Sequence, residues 1–446
     1  MGTLRLVLTG LLLMKCQARA AARVAWWSCL CEFNRMGLSS MLNRRSFTRL
    51  AMAAGAAIGL IPRRALAALP SLKITRIRCY RPPHPNPTFN QSNQIVTVET
   101  DAGITGIGEG GARDTVEQCA GLLIGEDPAR IDHLWQSLFR GYFYPPGREK
   151  LHALGALDLA LWDIKGKVLG APVYELLGGL SREHVECYST GYPSHGTLAE
   201  TAKACIAAGF RAYRIAAFDA GTGVFDAHRD VRATAEQCRV VREAIGKDGD
   251  WAIDFHTRLD LSDAVTLSSL IEGYQPYFVE DPLRSENLAI YGNLRERVKV
   301  PLAVGEQFGA RWEFNDLIEK NLIDYARVTL PNVGGITEFM KIAALCETHT
   351  VGLIPHFTGP VSLAALVHAL SVFSGPVLME ISGAGPQRLP HLPQSYDFRN
   401  GKLWPNTRPG LGVEFDPKAA EMIGEFTAHY APIPRLNRPD GSMTNW

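Results

Sequence analysis

The chain has 446 residues, 46% of them hydrophobic, and its 46 Lys and Arg against 45 Asp and Glu give a formal net charge of +1. That length exceeds one ordinary domain and predicts two. Because the body of the chain has no block of one charge sign, a nucleic-acid groove is disfavoured and a small neutral or acidic substrate is favoured.

The N-terminus reads as a targeting segment. Arg44-Arg45-Ser46-Phe47 leads into small apolar residues from Ala51 to Ile61, and Ala65-Leu66-Ala67 offers a small-x-small cleavage site. The pattern resembles a twin-arginine export signal, whose pathway carries folded proteins. It implies a periplasmic or otherwise exported protein with no stable membrane association once processed. Met41 is a candidate start, and residues 1–67 are set aside from the fold. The nine cysteines include no C-x-x-C pair, and the six beyond the signal fall in core-like runs, which predicts buried thiols.

From residue 68 to about 180 the pattern predicts a small α+β domain. Alternation over Ile74–Tyr80, Gln94–Glu99 and Ile104–Gly108, with a turn at Asp101-Ala102-Gly103, predicts an antiparallel sheet. Helical periodicity follows over Asp114–Ile124, Ala129–Phe139 and Glu149–Leu169. Residues 181–386 then alternate strand and helix. Strands are expected at Val185–Tyr188, Ala212–Ala217, Trp251–Phe255, Tyr277–Glu280, Leu302–Glu306, Asp324–Thr329, Gly352–His356 and Val377–Ile381. Eight such units make an α/β barrel of the triosephosphate isomerase type, with active-site groups at the carboxyl ends of the strands. The Pro- and Gly-rich tail, residues 387–446, is expected to return to the first domain.

Asp254, Glu280 and Glu306 each lie 26 residues from the next, and each ends a short apolar run. One strand-helix unit has that length, so the three acids are expected on neighbouring strand ends at one rim. Carboxylates gathered there repel unless a cation lies between them, and oxygen ligands favour a hard divalent ion, Mg²⁺ first. His256 follows Asp254 by two positions, and strand alternation places it on the same side. His356 ends the seventh strand, opposite the third. Two imidazoles facing one substrate suit proton removal alpha to a carboxylate followed by proton donation: the cation stabilises the enediolate, and the donor expels a beta hydroxyl as water. Returning the proton to the other face would epimerise the centre instead.

Several further motifs accompany these residues: Ala156-Leu157-Asp158 through Lys167, Asp254-Phe255-His256, Val279-Glu280-Asp281-Pro282, Gly305-Glu306, Gly334-Gly335-Ile336-Thr337 and Pro355-His356. Together they resemble the enolase superfamily, mandelate racemase/muconate lactonizing enzyme subgroup, from about Leu72 to the end. The resemblance implies a capping domain, a modified (β/α)7β barrel, Mg²⁺ on Asp254, Glu280 and Glu306, and a homo-oligomer. Asp254-x-His256 with His356 is most similar to acid-sugar dehydratases acting on galactonate, mannonate and related aldonates. His256 is then the acid and His356 the base. The second strand reads Tyr213-Arg214-Ile215-Ala216 where racemases and lactonizing enzymes carry a lysine pair. Thr329 stands where many members place an Asp that orients the seventh-strand His, and mannonate dehydratase-like sequences share that Thr. In those a Tyr assisted by an Arg takes the proton, which makes Tyr188 and Tyr192 further candidates. An epimerase or cycloisomerase, and a non-catalytic periplasmic sugar-acid binder, are the rival readings.

Substrate contacts are expected from Glu380, Arg81, Tyr188, Tyr192 and Arg214, with the proline-rich stretch from Arg81 to Asn93 as a specificity loop. Lys165, on the helix before the barrel, reads as packing. Gly106-x-Gly108-x-x-Gly111 matches a dinucleotide fingerprint by letter but lies in the second arm of a hairpin, whereas the fingerprint needs a parallel strand entering a helix.

Overall fold

In a computed structural model of the chain, the described residues are 71–83, 94–217, 224–385, 388–430 and 437–444. The export motif, Met41 and most of the stretch from Arg81 to Asn93 lie outside them.

Residues alternating between apolar and polar side chains form an antiparallel sheet. Strands β1 (Ile74–Arg81), β2 (Ile95–Thr100) and β3 (Thr105–Glu109) pair in order. Helices α1 (Arg113–Leu123), α2 (Ile131–Arg140) and α3 (Arg148–Leu169) cover one face. Gly106 and Gly108 explain how closely α3 approaches: a Cβ on either would collide with the backbone of Ala160 or Ala156. The glycine fingerprint is therefore a packing device between a strand and a crossing helix. Lys165 lies over the Trp162 ring, 5.6 Å from its centroid.

After the short helix α4 (Val173–Leu176) come eight strands: β4 (Val185–Thr190), β5 (Ala212–Ala216), β6 (Asp250–Asp254), β7 (Val279–Glu280), β8 (Leu302–Val304), β9 (Tyr325–Ala326), β10 (Gly352–Leu353) and β11 (Met379–Ser382). They pair in parallel from β4 to β10. A parallel bridge from Leu353 to Val377 and the β11–β4 pairing close the ring. Intervening helices are α5 (Leu198–Ala207), α6 (Ala227–Ile245), α7 (Leu261–Ile271), α8 (Ile290–Arg295), α9 (Arg311–Glu319), the one-turn α10 (Leu330–Val333), α11 (Ile336–Thr348) and α12 (Pro360–Val372). Among the described residues no helix directly follows β11, so the barrel is of the (β/α)7β kind. No described helix is long and apolar enough to cross a membrane.

Beyond the barrel, β12 (Asp397–Arg399) and β13 (Lys402–Trp404) form a hairpin against the start of β4, and β14 (Glu421–Phe426) pairs with β1. The cap is fastened to the barrel by buried carboxylates that accept backbone N–H groups. Asp158 on α3 accepts from Thr337 of α11 at 3.0 Å, and Asp163 accepts from Leu411 of the C-terminal segment at 2.8 Å and, within the cap, from Ile107 at 3.0 Å. The six described cysteines are buried free thiols, as their apolar settings predict.

Candidate metal centre and active site

Inward-facing residues fill the barrel in layers. One layer holds Tyr188, Ala212, Ala252, Phe278, Ala303, Ile354 and Leu378, with Tyr325 packed against it. Two residues further along each strand, toward the carboxyl end, every inward position but one becomes polar: Thr190, Arg214, Asp254, Glu280, Arg327, His356 and Glu380. On β8 the second position is Gly305, at φ +129, and Glu306 follows it. A Cβ at Gly305 would strike the Phe314 ring, so the turn that delivers Glu306 requires glycine.

The polar layer is knit by two arginines. Arg327, fully buried, sets its guanidinium 2.5 Å from Glu280, 2.5 Å from Glu380 and 3.4 Å from Glu306, and donates to the Tyr188 hydroxyl at 2.8 Å. Arg214 pairs with Asp254, lies 3.4 Å from Glu280, and donates to Thr190 at 3.2 Å. Sequence reasoning did not single out Arg327. The available signal was its place two residues after Tyr325, which is inward only once the register is known.

Of the three predicted metal ligands, Asp254 and Glu280 are partners in register across β6 and β7. The oxygens close enough to share one ion come from Glu280, Asp281 and Glu306, all within 4.8 Å of one another. Asp254 lies outside that group because Arg214 and the backbone N–H of His256, at 2.6 Å, hold its carboxylate. Both oxygens of Asp281 accept backbone N–H groups, from Gly305 at 2.9 Å and Glu306 at 3.3 Å. Asp281 thus orients the residue that delivers Glu306.

Does this donor set fit a divalent cation? Five carboxyl groups, of Asp254, Glu280, Asp281, Glu306 and Glu380, gather at this rim with two guanidiniums, so acidic groups outnumber basic ones there. Burial, followed by repulsion from Asp254 and Glu380, pushes the Glu280 carboxyl well above its ordinary range despite Arg327 and Arg214. The buried Glu280 oxygen nearest Arg327 makes its contact as an ion pair, at 2.5 Å. Hard carboxylate oxygens from Glu280, Asp281 and Glu306 within 4.8 Å of one another suit Mg²⁺.

The two histidines are placed differently. Strand β6 stops at Asp254, so alternation does not set His256. Instead His256 and Thr257 adopt left-handed φ of +51 and +58, held by Asp254 and by the Asp281 carbonyl, to which Thr257 N–H donates at 2.8 Å. Side chains rarely adopt this conformation, and the surroundings must enforce it. His256 is exposed, yet its charge is near enough to help lower the Glu306 carboxyl pKa. Across the ring on β10, His356 is buried with Nε2 3.4 Å from Glu306. Burial lowers its pKa, partly opposed by Glu306 and Glu380, and its Nδ1 has no hydrogen-bond partner. Thr329, standing where a carboxylate could orient His356, donates to the Glu306 carbonyl at 2.8 Å, and Asn332 donates to the same oxygen at 2.8 Å. Asn332 also meets His152 of α3.

Burial tends to raise Glu380, but Arg327, His356 and Arg214 outweigh it and hold the carboxyl below its usual range. Tyr188 reaches Glu280 at 3.5 Å from beneath, and burial pushes its hydroxyl far above the phenol range, which keeps it protonated. Tyr192 packs on Phe210 with ring centroids 6.0 Å apart. Arg81 is committed to Glu421 of β14 at 2.9 Å, within the cap sheet.

Comparison with known proteins agrees with this architecture. The mandelate racemase/muconate lactonizing enzyme N-terminal domain matches residues 81–178, and an enolase C-terminal domain-like model matches residues 197–419. D-galactonate dehydratase of Xanthomonas euvesicatoria pv. vesicatoria is 37% identical over 391 residues, covering 84% of this chain and 100% of its own; that of Ralstonia pickettii is 36% identical over 392. A crystal structure from Zymomonas mobilis, provisionally named a dehydratase, superposes with TM-score 0.74 at 29% identity, covering 80% of this chain and 100% of that one. An Agrobacterium radiobacter enolase, provisionally named a galactarate dehydratase and crystallised with sodium and L-malate, gives TM-score 0.70 at 30% identity, covering 83% of this chain and 99% of its own. This chain belongs to the mandelate racemase/muconate lactonizing enzyme subgroup of the enolase superfamily.

Proposed function

We propose that the chain is a Mg²⁺-dependent dehydratase of sugar acids, a hydro-lyase that turns an aldonate or aldarate into a 2-keto-3-deoxy acid. The observation that carries this reading is the rim itself: carboxylates gathered at neighbouring strand ends, with His256 and His356 just beyond the ends of the opposite strands β6 and β10. Relatives named D-galactonate dehydratase, matched over their whole length, support the aldonate class.

Glu280 and Glu306 would hold the cation together with Asp254, which the family resemblance implies and which is in register with Glu280. A divalent cation bound there supplies positive charge beside the substrate carboxylate, which makes the alpha hydrogen acidic enough to leave. His356 accepts that proton; burial lowers its pKa, which favours the neutral ring a base must start from. His256, exposed on its left-handed turn, donates a proton to the departing beta hydroxyl. Glu380, kept ionised by Arg327, is positioned to accept a substrate hydroxyl. Export through the twin-arginine route and assembly as a homo-oligomer complete the reading.

The test is a library of acid sugars assayed for keto-acid product with Mg²⁺ and after chelation. One or more aldonates or aldarates yielding a 2-keto-3-deoxy acid supports the proposal. Exchange of the alpha hydrogen without loss of water would indicate an epimerase, and binding without exchange a non-catalytic receptor.

A further inference from the structure

The helix that follows His356 has no cap of its own. Helix α12 begins at Pro360 after Gly359, and no side chain from its own segment accepts the first N–H groups. The first N–H groups of a helix need acceptors from outside it, and burying them unpaired is costly; Pro360 removes one of them here. Here the acceptor comes from the other domain: one carboxylate oxygen of Glu109, at the end of β3 in the cap, accepts from Val361 N–H at 2.9 Å and Ser362 N–H at 3.0 Å. The contact is closed to solvent, with Glu109 3% exposed and Val361 and Ser362 fully buried. A Cβ on Gly359 would collide with the Glu109 carboxylate, so residue 359 is kept bare to admit it.

Only Phe357, Thr358 and Gly359 separate His356 from the capped helix. On its other side His356 is tied to the barrel by N–H donation to Val328 at 3.1 Å. Its Nε2 lies 3.4 Å from Glu306, but Thr329 stands where a second carboxylate could orient the ring from the other side, and Nδ1 has no hydrogen-bond partner. The short turn therefore hangs between one barrel hydrogen bond and one helix end, and the cap secures that end.

We infer that Glu109 is a positioning residue for His356: from the cap sheet it pins the N-terminus of α12 and so sets the turn that carries the imidazole. A carboxyl oxygen suits this place as acceptor because the helix start presents free N–H groups at the positive end of its dipole. The effect on turnover rests on the proposed part of His356 in dehydration; the effect on ring placement does not.

The test uses full-length protein with Mg²⁺. Glu109→Asp shortens the reach by one methylene, and Glu109→Gln keeps reach and an acceptor oxygen. The Asp variant is expected to lower kcat about tenfold with KM within about twofold, and the Gln variant to restore kcat to within about threefold. The His356 ring resonance, assigned by its loss in His356→Asn, shifts in the Asp variant and returns in the Gln variant. Asp158→Asn, which edits the neighbouring cap contact to α11, is expected to leave that resonance in place and kcat within about twofold. Should Glu109→Asp not fold, Gly359→Ala attacks the same contact from the helix side and must give the same kcat loss and shift. An unmoved resonance in a folded Glu109→Asp or Gly359→Ala overturns the positioning role. A shifted resonance with unchanged kcat leaves the positioning intact and counts against His356 as the base.

Discussion

Thr329 gives its hydroxyl to the backbone carbonyl of Glu306 at 2.8 Å. The side chain at a position from which a carboxylate could steer His356 instead fixes the segment that bears a metal-binding acid. Asn332 repeats the bond, so two donors converge on one carbonyl. Thr329→Val removes one of them without changing shape much. It should cost about 1 kcal/mol of stability and weaken Mg²⁺ binding only slightly, because Asn332 remains. Chemical denaturation and calorimetric titration check both, and loss of Mg²⁺ binding would show that Asn332 cannot hold the carbonyl alone.

Arg327 is the nearest counter-charge to both Glu280 and Glu380. Arg327→Met would leave Glu280 and Glu380 buried without their guanidinium, and breaking a buried pair by removing one partner costs about 3 to 5 kcal/mol. The melting temperature should fall sharply in chelator and recover partly in excess Mg²⁺, which replaces some of the lost positive charge. An equal fall in both conditions would mean that cation and guanidinium do not act on the same carboxylates.

His256→Asn should abolish dehydration, a loss of about a hundredfold or more for a missing proton donor, while Mg²⁺ affinity stays near its original value. Steady-state rates and titration calorimetry read the two separately. Retained turnover would take the acid role away from His256.

How much of this was visible in the order of residues? The 26-residue recurrence of Asp254, Glu280 and Glu306 gave the barrel its period and the acids a common rim, because strand-helix units repeat in chain and in space alike. Period-2 alternation inside the strands concealed Arg327, since β9 has only two ladder residues and its facing is set by neighbours. The turn at His256 was hidden for another reason: left-handed φ in residues other than glycine is imposed by Asp254 and Asp281 and has no local signature. Contacts such as Glu109 with Val361, 252 positions apart, are absent from any local pattern. For the same reason the pairing of Asp254 with Arg214 emerged only when β5 and β6 were brought side by side.

Asp158 provides a pH test. Burial raises its carboxyl from 3.8 to about 7, opposed by hydrogen bonds from Thr337 and by Lys341. A carboxyl whose folded pKa lies above its unfolded one binds its proton more tightly when folded. Its contribution to stability is therefore full below pH 3.8 and is lost as pH rises to about 7. Asp158→Asn cannot titrate, so its stability should decline less than that of the parent across this window, the gap changing by up to about 4 kcal/mol. Parallel denaturation midpoints from pH 4 to 8 would contradict the assignment of a buried, titrating Asp158.

The most direct test of the central claim follows the alpha hydrogen of an aldonate such as galactonate in deuterated buffer, with saturating Mg²⁺ and after chelation. The account predicts a 2-keto-3-deoxy product with Mg²⁺ present, and neither product nor exchange once the metal is removed. Equal rates in chelator, or a silent alpha hydrogen across all aldonates and aldarates despite saturating Mg²⁺, would contradict it.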